Sequence, residues 1–146
     1  MSQTATRPIL VVDDEEGPRE ALRMMLKDKH TVLMARDGEE CLELVNRESP
    51  GLILLDVRLP GIDGIEVLQK LKKSNPEIPV IVVSAVGTHK TVIDALKLGA
   101  IDFVAKPLDV MQIRDTVRRA LLQGETGRKT DASARKKGIQ IGRAHV

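Results

Sequence analysis

The chain has 146 residues, 42% of them hydrophobic and 30% charged, a composition that closes one core of ordinary domain size. One Phe, no Trp and no Tyr remove the aromatic platforms on which single-stranded nucleic acid stacks, and the single cysteine, Cys41, excludes an internal disulfide and a thiolate zinc site. The net charge of +2 is uneven: Gln123–Val146 carries six basic and two acidic residues, and residues 1–122 carry a net −2, so the basic balance belongs to the tail and does not make the body a nucleic-acid binder.

No apolar run reaches the ~20 residues of a membrane span. The first residues, Met1–Pro8, are polar and lack the apolar core of a signal peptide. A cytoplasmic location without a membrane partner is therefore expected.

Ile9–Val12 is a short β-branched run that stops at Asp13 and Asp14. Gly17 and Pro18 open a helix, with Pro in the first turn where its missing N–H costs nothing. Leu22, Met25 and Leu26 recur on it at helical spacing. Thr31–Ala35 is a second strand. Asp37 is placed to cap a second helix, whose buried stripe is Cys41, Leu44 and Val45; Cys41 is read there as a small core hydrophobe. Leu52–Leu55 is a third strand ending at Asp56, followed by a loop at Leu59–Gly61. Asp63 caps a third helix carrying Ile65, Leu68 and Leu71. Pro76 and Pro79 break the chain before a fourth strand, Val80–Val83, which ends at Ser84. Val92, Ala95 and Leu96 mark a fourth helix, closed by Gly99 at the position that favours glycine. Ile101–Ala105 is a fifth strand ending at Lys106 and Pro107, and Asp109 starts a fifth helix with Ile113, Val117 and Leu121 inward.

Five strand–helix repeats with several wholly apolar strands predict a parallel sheet covered by helices on both faces. In such open sheets ligands bind beyond the carboxyl ends of the strands. The ends of the first, third, fourth and fifth strands carry Asp13 and Asp14, Asp56, Ser84, and Lys106. Each residue alone has an ordinary structural reading, as a helix-start acid, a turn hydroxyl or a solvated lysine. Four strand ends converging on one edge point to a site.

Three carboxylates with one lysine repel one another unless a cation intervenes. Mg²⁺ is the hard divalent ion that one or two carboxylates hold together with phosphate oxygens. Asp14 and Asp56 suit direct ligation, and Asp13 suits a ligand or supporting role. A carboxylate can also attack phosphorus to give an acyl phosphate; Asp56, alone at the end of a central strand, is the candidate. Lys106 and Ser84 would then stabilise charge on the phosphoryl oxygens.

At these residues the chain resembles the receiver domain of two-component response regulators. The resemblance runs over residues 8–123 and rests on Val11–Glu15, Leu54–Gly64, Val83–Ala85 and Gly99–Pro107. It implies a flavodoxin-like (CheY-like) doubly wound α/β fold with five parallel strands in the order 2-1-3-4-5. It implies Asp56 as phosphoacceptor, and Asp13, Asp14, Asp56 and the backbone carbonyl of Arg58 as Mg²⁺ ligands. Lys106 would bind phosphate, and Ser84 and Phe103 would be the switch pair. The Lys106–Pro107 peptide is often cis in the family.

The implied function is to accept a phosphoryl group from a sensor histidine kinase or phosphotransfer protein. The face of the fourth helix, fifth strand and fifth helix would then change toward an output domain, an effector or a phosphorylation-dependent dimer. Self-phosphorylation and self-dephosphorylation would be its only chemistry, short of a turnover enzyme. Arg58 and Val86 lie where side chains can reach attacking water and are expected to tune acyl-phosphate lifetime.

Other classes fit less well. An aspartyl-phosphate phosphatase usually carries a paired Asp-x-Asp, absent around Asp56. A nucleotide-binding module needs a glycine-rich first loop, where this chain has Asp13–Pro18. A phosphate-independent protein-interaction receiver remains the alternative. Beyond the domain, residues 124–146 read as a disordered basic tail. Its last residues, Ile141–Val146, look like a translated short-read sequencing adapter, which would mean a reading frame cut in the tail and an output domain lost with it; a single-domain receiver with a frayed tail is the other reading.

Overall fold

The computed structural model describes residues 7–58, 63–85 and 89–123. It contains the strands β1 (Ile9–Val12), β2 (Val32–Ala35), β3 (Leu52–Asp56), β4 (Val80–Ser84) and β5 (Asp102–Ala105). Between them run the helices α1 (Glu16–Leu26), α2 (Gly38–Glu48), α3 (Gly64–Ser74) and α4 (His89–Lys97). A fifth helix, α5, occupies residues 110–123. All strand pairs are parallel and the sheet order is β2-β1-β3-β4-β5, the order expected from the resemblance.

Every residue of β1, β3 and β4 is buried because each strand is covered on both faces. Alternate side chains part into two cores. Leu10, Val12, Ile53, Leu55, Val80 and Val82 pack with residues of α2, α3 and α4. Ile9, Val11, Leu52, Leu54, Ile81 and Val83 pack with Leu22 and Leu26 of α1 and Ile113, Val117 and Ala120 of α5.

The helix starts follow local chemistry. The Asp37 carboxylate caps α2 by accepting from the Glu40 N–H at 2.8 Å, and Glu40 Oε1 accepts from the N–H of Arg36, the residue before the cap, at 2.8 Å. Asp63 accepts from Ile65 N–H at 3.0 Å, and Asp109 from Gln112 N–H at 2.9 Å. At the end of α4, Ala100 N–H donates to the Ala95 carbonyl at 3.0 Å and Gly99 N–H to Leu96 at 3.1 Å, with Gly99 at φ +117, the Schellman pattern.

Of the apolar residues that mark α4, Ala95 is buried and Leu96 is 40% exposed. One sequence expectation needs adjustment. Ile101 lies outside β5 and is exposed: β5 is an edge strand, and only its Val104 is buried. The expected loop at 59–61, Val86 and the tail 124–146 lie outside the described residues.

Candidate functional site

Strand register builds the site. Val12 pairs with Leu55, so the residues that follow, Asp13 and Asp56, leave adjacent strands at one level. Ser84 pairs with Ala105, and Lys106 N–H donates to the Ser84 carbonyl at 2.8 Å, so Lys106 leaves β5 at the same edge. The Lys106–Pro107 peptide is cis.

Lys106 reaches past the end of β4 to both carboxylates. Its Nζ donates to Asp56 Oδ2 at 3.1 Å and lies 3.2 Å from Asp13 Oδ2. The second contact is electrostatic without hydrogen-bond alignment: Asp13 Oδ2 is buried and accepts no hydrogen bond. The other oxygens are held by backbone. Asp13 Oδ1 accepts from Glu15 N–H at 2.9 Å, and Asp56 Oδ1 from Arg58 N–H at 2.8 Å. Asp13 is 1% and Asp56 4% exposed, whereas Asp14 is exposed.

These groups open on a cleft of about 980 Å³ lined by Asp14, Asp56, Arg58, Lys106, Thr91 and Asp94, among others. Thr91 and Asp94, which sequence reasoning did not single out, reach the cleft from α4; nothing in helical spacing marks them, because only the packing of α4 brings them there. Gly64 ends the Leu54–Gly64 motif for a steric reason. A Cβ on it would stand 2.5 Å from Val57 Cα, so α3 begins directly against the residue after Asp56 and only glycine fits.

Electrostatics set the two titrating partners in tension. Burial pushes the Asp56 carboxyl above its ordinary range; the Arg58 N–H pulls it down, the Asp13 charge raises it and Lys106 lowers it, and burial prevails. Burial alone would lower the Lys106 ammonium, but its hydrogen bond and ion pair with Asp56, and then the charge of Asp13, outweigh it and hold it above the usual lysine range. Asp13, Asp14 and Asp56 each offer a carboxylate oxygen within 4.8 Å of the others. One ammonium leaves this cluster with excess negative charge and one buried oxygen open, so the donor set fits a hard divalent cation. The acidic pocket can hold a metal.

Ser84 and Phe103 are placed differently. Ser84 is buried at the end of β4, and its Oγ donates to the Ala85 carbonyl at 3.1 Å; Ala85 lines the cleft. Phe103 stands on β5, 43% exposed, and is not among the residues that line the cleft.

The parallel 2-1-3-4-5 sheet, with carboxylates and a lysine gathered at one edge, defines a CheY-like receiver. Residues 9–118 match the family model of the response regulator receiver domain, and the chain belongs to that family, a module of two-component signalling. It is 39% identical over 114 residues to the sporulation initiation phosphotransferase F of Bacillus subtilis, covering 77% of this chain and 92% of that protein. The same identity over 114 residues relates it to the transcriptional regulatory protein ZraR of Escherichia coli, of whose length this chain spans 26%. The receiver domain of NtrX from Brucella abortus superposes with a TM-score of 0.76 at 37% identity, over 77% of this chain and 97% of that one. No helix among the described residues is long and apolar enough to cross a membrane.

Proposed function

We propose that this receiver, residues 8–123, takes a phosphoryl group on Asp56 from the phosphohistidine of a sensor kinase or phosphotransfer protein, and relays the change to an output module. The observation that carries the reading is the buried Asp56 carboxylate, which lines one open cleft with Asp14 and Lys106 and is clustered with the buried Asp13. The relatives support it: one is a phosphotransferase by name and others are transcriptional regulators, the latter much longer than this chain.

In the reaction, an Asp56 carboxylate oxygen forms the bond to phosphorus as the bond from phosphorus to the imidazole nitrogen breaks, and the imidazole keeps that electron pair. Asp13, Asp14, Asp56 and the Arg58 carbonyl would hold Mg²⁺, which supplies positive charge against the phosphoryl oxygens. Lys106, already between Asp13 and Asp56, exchanges a carboxylate partner for a phosphoryl oxygen. The Arg58 N–H holds Asp56 Oδ1, and Oδ2 becomes available for attack as Lys106 turns from it to the phosphoryl oxygen.

The switch follows from the same rearrangement. The Ser84 hydroxyl turns from the Ala85 carbonyl toward the new oxygens, and the exposed Phe103 moves inward, altering the surface of α4, β5 and α5.

Intact mass after incubation with acetyl phosphate and Mg²⁺ tests the reading. One added phosphoryl group is expected, absent in Asp56→Asn and with EDTA. A chain that neither gains mass nor binds a phosphoryl mimic with Mg²⁺ would be a phosphate-independent interaction module instead.

A further inference from the structure

Arg19 sits in the acidic first part of α1 and forms no ion pair among the described residues. Its neighbour Glu20 pairs with Arg23 instead, at 3.0 Å. The half-buried Arg19 guanidinium donates through Nη1 to the backbone carbonyl of Asp13, at 2.8 Å. That choice is informative, because guanidinium groups ordinarily favour carboxylates.

The bond completes a frame around Asp13. Its N–H donates to the Ala35 carbonyl at 3.1 Å, its Oδ1 accepts from Glu15 N–H at 2.9 Å, and its carbonyl accepts from Arg19. Backbone donor, backbone acceptor and one carboxylate oxygen are all fixed. The oxygen left without a hydrogen bond is the buried Oδ2, which lies beside Lys106 in the cluster with Asp56. Of these restraints, the Arg19 bond alone comes from a side chain.

We infer that Arg19 is a positioning residue for divalent-cation binding: it holds the Asp13 peptide so that Oδ2 is presented to the ion. The inference rests on the cation reading of the cleft. It also opposes simple electrostatics. Removing a positive charge near an acidic cluster should tighten cation binding; removing a positioning bond should weaken it, and groups that orient metal ligands typically contribute about tenfold or more in affinity.

The test is Mn²⁺ binding to the full chain, followed by the electron paramagnetic resonance of free Mn²⁺, with metal-free melting midpoints measured beside it. Arg19→Met keeps the aliphatic stem and loses donor and charge; its Mn²⁺ affinity is expected to fall about tenfold. Arg19→Lys keeps a donor and the charge and is expected to recover most of that loss. Unchanged or tighter binding in a folded Arg19→Met overturns the inference, as does a weakening that Arg19→Lys does not relieve. A wild-type chain that binds no Mn²⁺, or an Asp13→Asn variant that binds as well as wild type, overturns the cation reading of the cleft itself.

Discussion

Lys106 and Asp56 meet at 3.1 Å although β4 lies between their strands. The ammonium therefore ties the edge strand β5 to the centre of the sheet and separates two buried carboxylates, Asp13 and Asp56. Lys106→Met would leave those carboxylates facing each other without compensation. A loss of about 1–3 kcal/mol at neutral pH is expected, tempered by the 21% exposure of the lysine side chain. Mg²⁺ should restore part of it, since a ligand bound only by the native state adds RT ln(1 + [L]/Kd), about 1.4 kcal/mol at tenfold excess over Kd. Urea titrations of the variant with and without Mg²⁺ check both statements; equal stability to wild type would refute the first.

The raised Asp56 carboxyl predicts an acid-side trend of definite sign. The native state holds this proton more tightly than the unfolded chain does, so more protons are bound natively between the ordinary Asp value, about 3.9, and the raised native one. Stability contributed by this group therefore falls as pH rises through that window and is gone above it. Asp56→Asn removes the trend and raises the metal-free melting midpoint at pH 7 by a few degrees. Lys106 acts at the other end: its raised value contributes stability that is complete below the ordinary lysine range and is lost as pH climbs through the native value. Melting curves from pH 4 to 11 for the two proteins separate these contributions, and a lower midpoint for Asp56→Asn at pH 7 would contradict the assignment of burial as the dominant cause.

Much of this cluster is legible in the sequence. Asp13, Asp56, Ser84 and Lys106 follow apolar runs of strand length, and parallel register brings the ends of such runs to one edge. What stays hidden is contact between a side chain and a distant backbone. Arg19 bonds a carbonyl, and carbonyls leave no trace in residue identity. Thr91 and Asp94 join the cleft through the seating of α4, a tertiary fact.

Gly64 permits the close approach that seats α3 beneath the Asp56 loop. In Gly64→Ala the new Cβ would meet Val57 backbone at 2.5 to 2.7 Å, and backbone cannot yield as a side-chain tip can. A cost of about 1–3 kcal/mol is expected. Because Val57 directly follows Asp56, the variant should also lose phosphorylation rate beyond what its residual folded fraction explains. Chemical denaturation and acetyl phosphate labelling of the same sample distinguish the two; full rate with full stability would show that the loop tolerates the shift.

Arg58 contributes its backbone N–H to Asp56, and its exposed side chain lines the cleft mouth. Arg58→Ala preserves the backbone bond and should leave labelling of Asp56 intact. If Asp56 carries a phosphoryl group as proposed, loss of the guanidinium would give water freer access to it, and dephosphorylation is expected to quicken several-fold. The decay of the phosphorylated mass after donor removal measures this, and an unchanged half-life would end the idea that this side chain tunes lifetime.

Gly99 closes α4 in a conformation that side chains rarely adopt, φ +117, and a Cβ there would also press on Lys72 Cδ at 3.0 Å. Lys72 is itself committed. Its Nζ donates to the carbonyls of Pro76 at 3.3 Å and Ile78 at 3.0 Å, so its stem crosses beneath Gly99 to tie off the turn before β4. Burial lowers the Lys72 ammonium, with Glu77 opposing. The two residues thus couple the end of α3 to the end of α4. Gly99→Ala should cost about 1–3 kcal/mol from backbone strain alone, with an added part from displacing Lys72. Pairing it with Lys72→Ala in a double-mutant cycle separates these: the strain persists in the pair, while the steric part disappears, so the double variant should be less destabilised than the sum of the singles. Strict additivity would mean that the Lys72 stem moves aside without loss and that the conformation of Gly99 alone sets the cost.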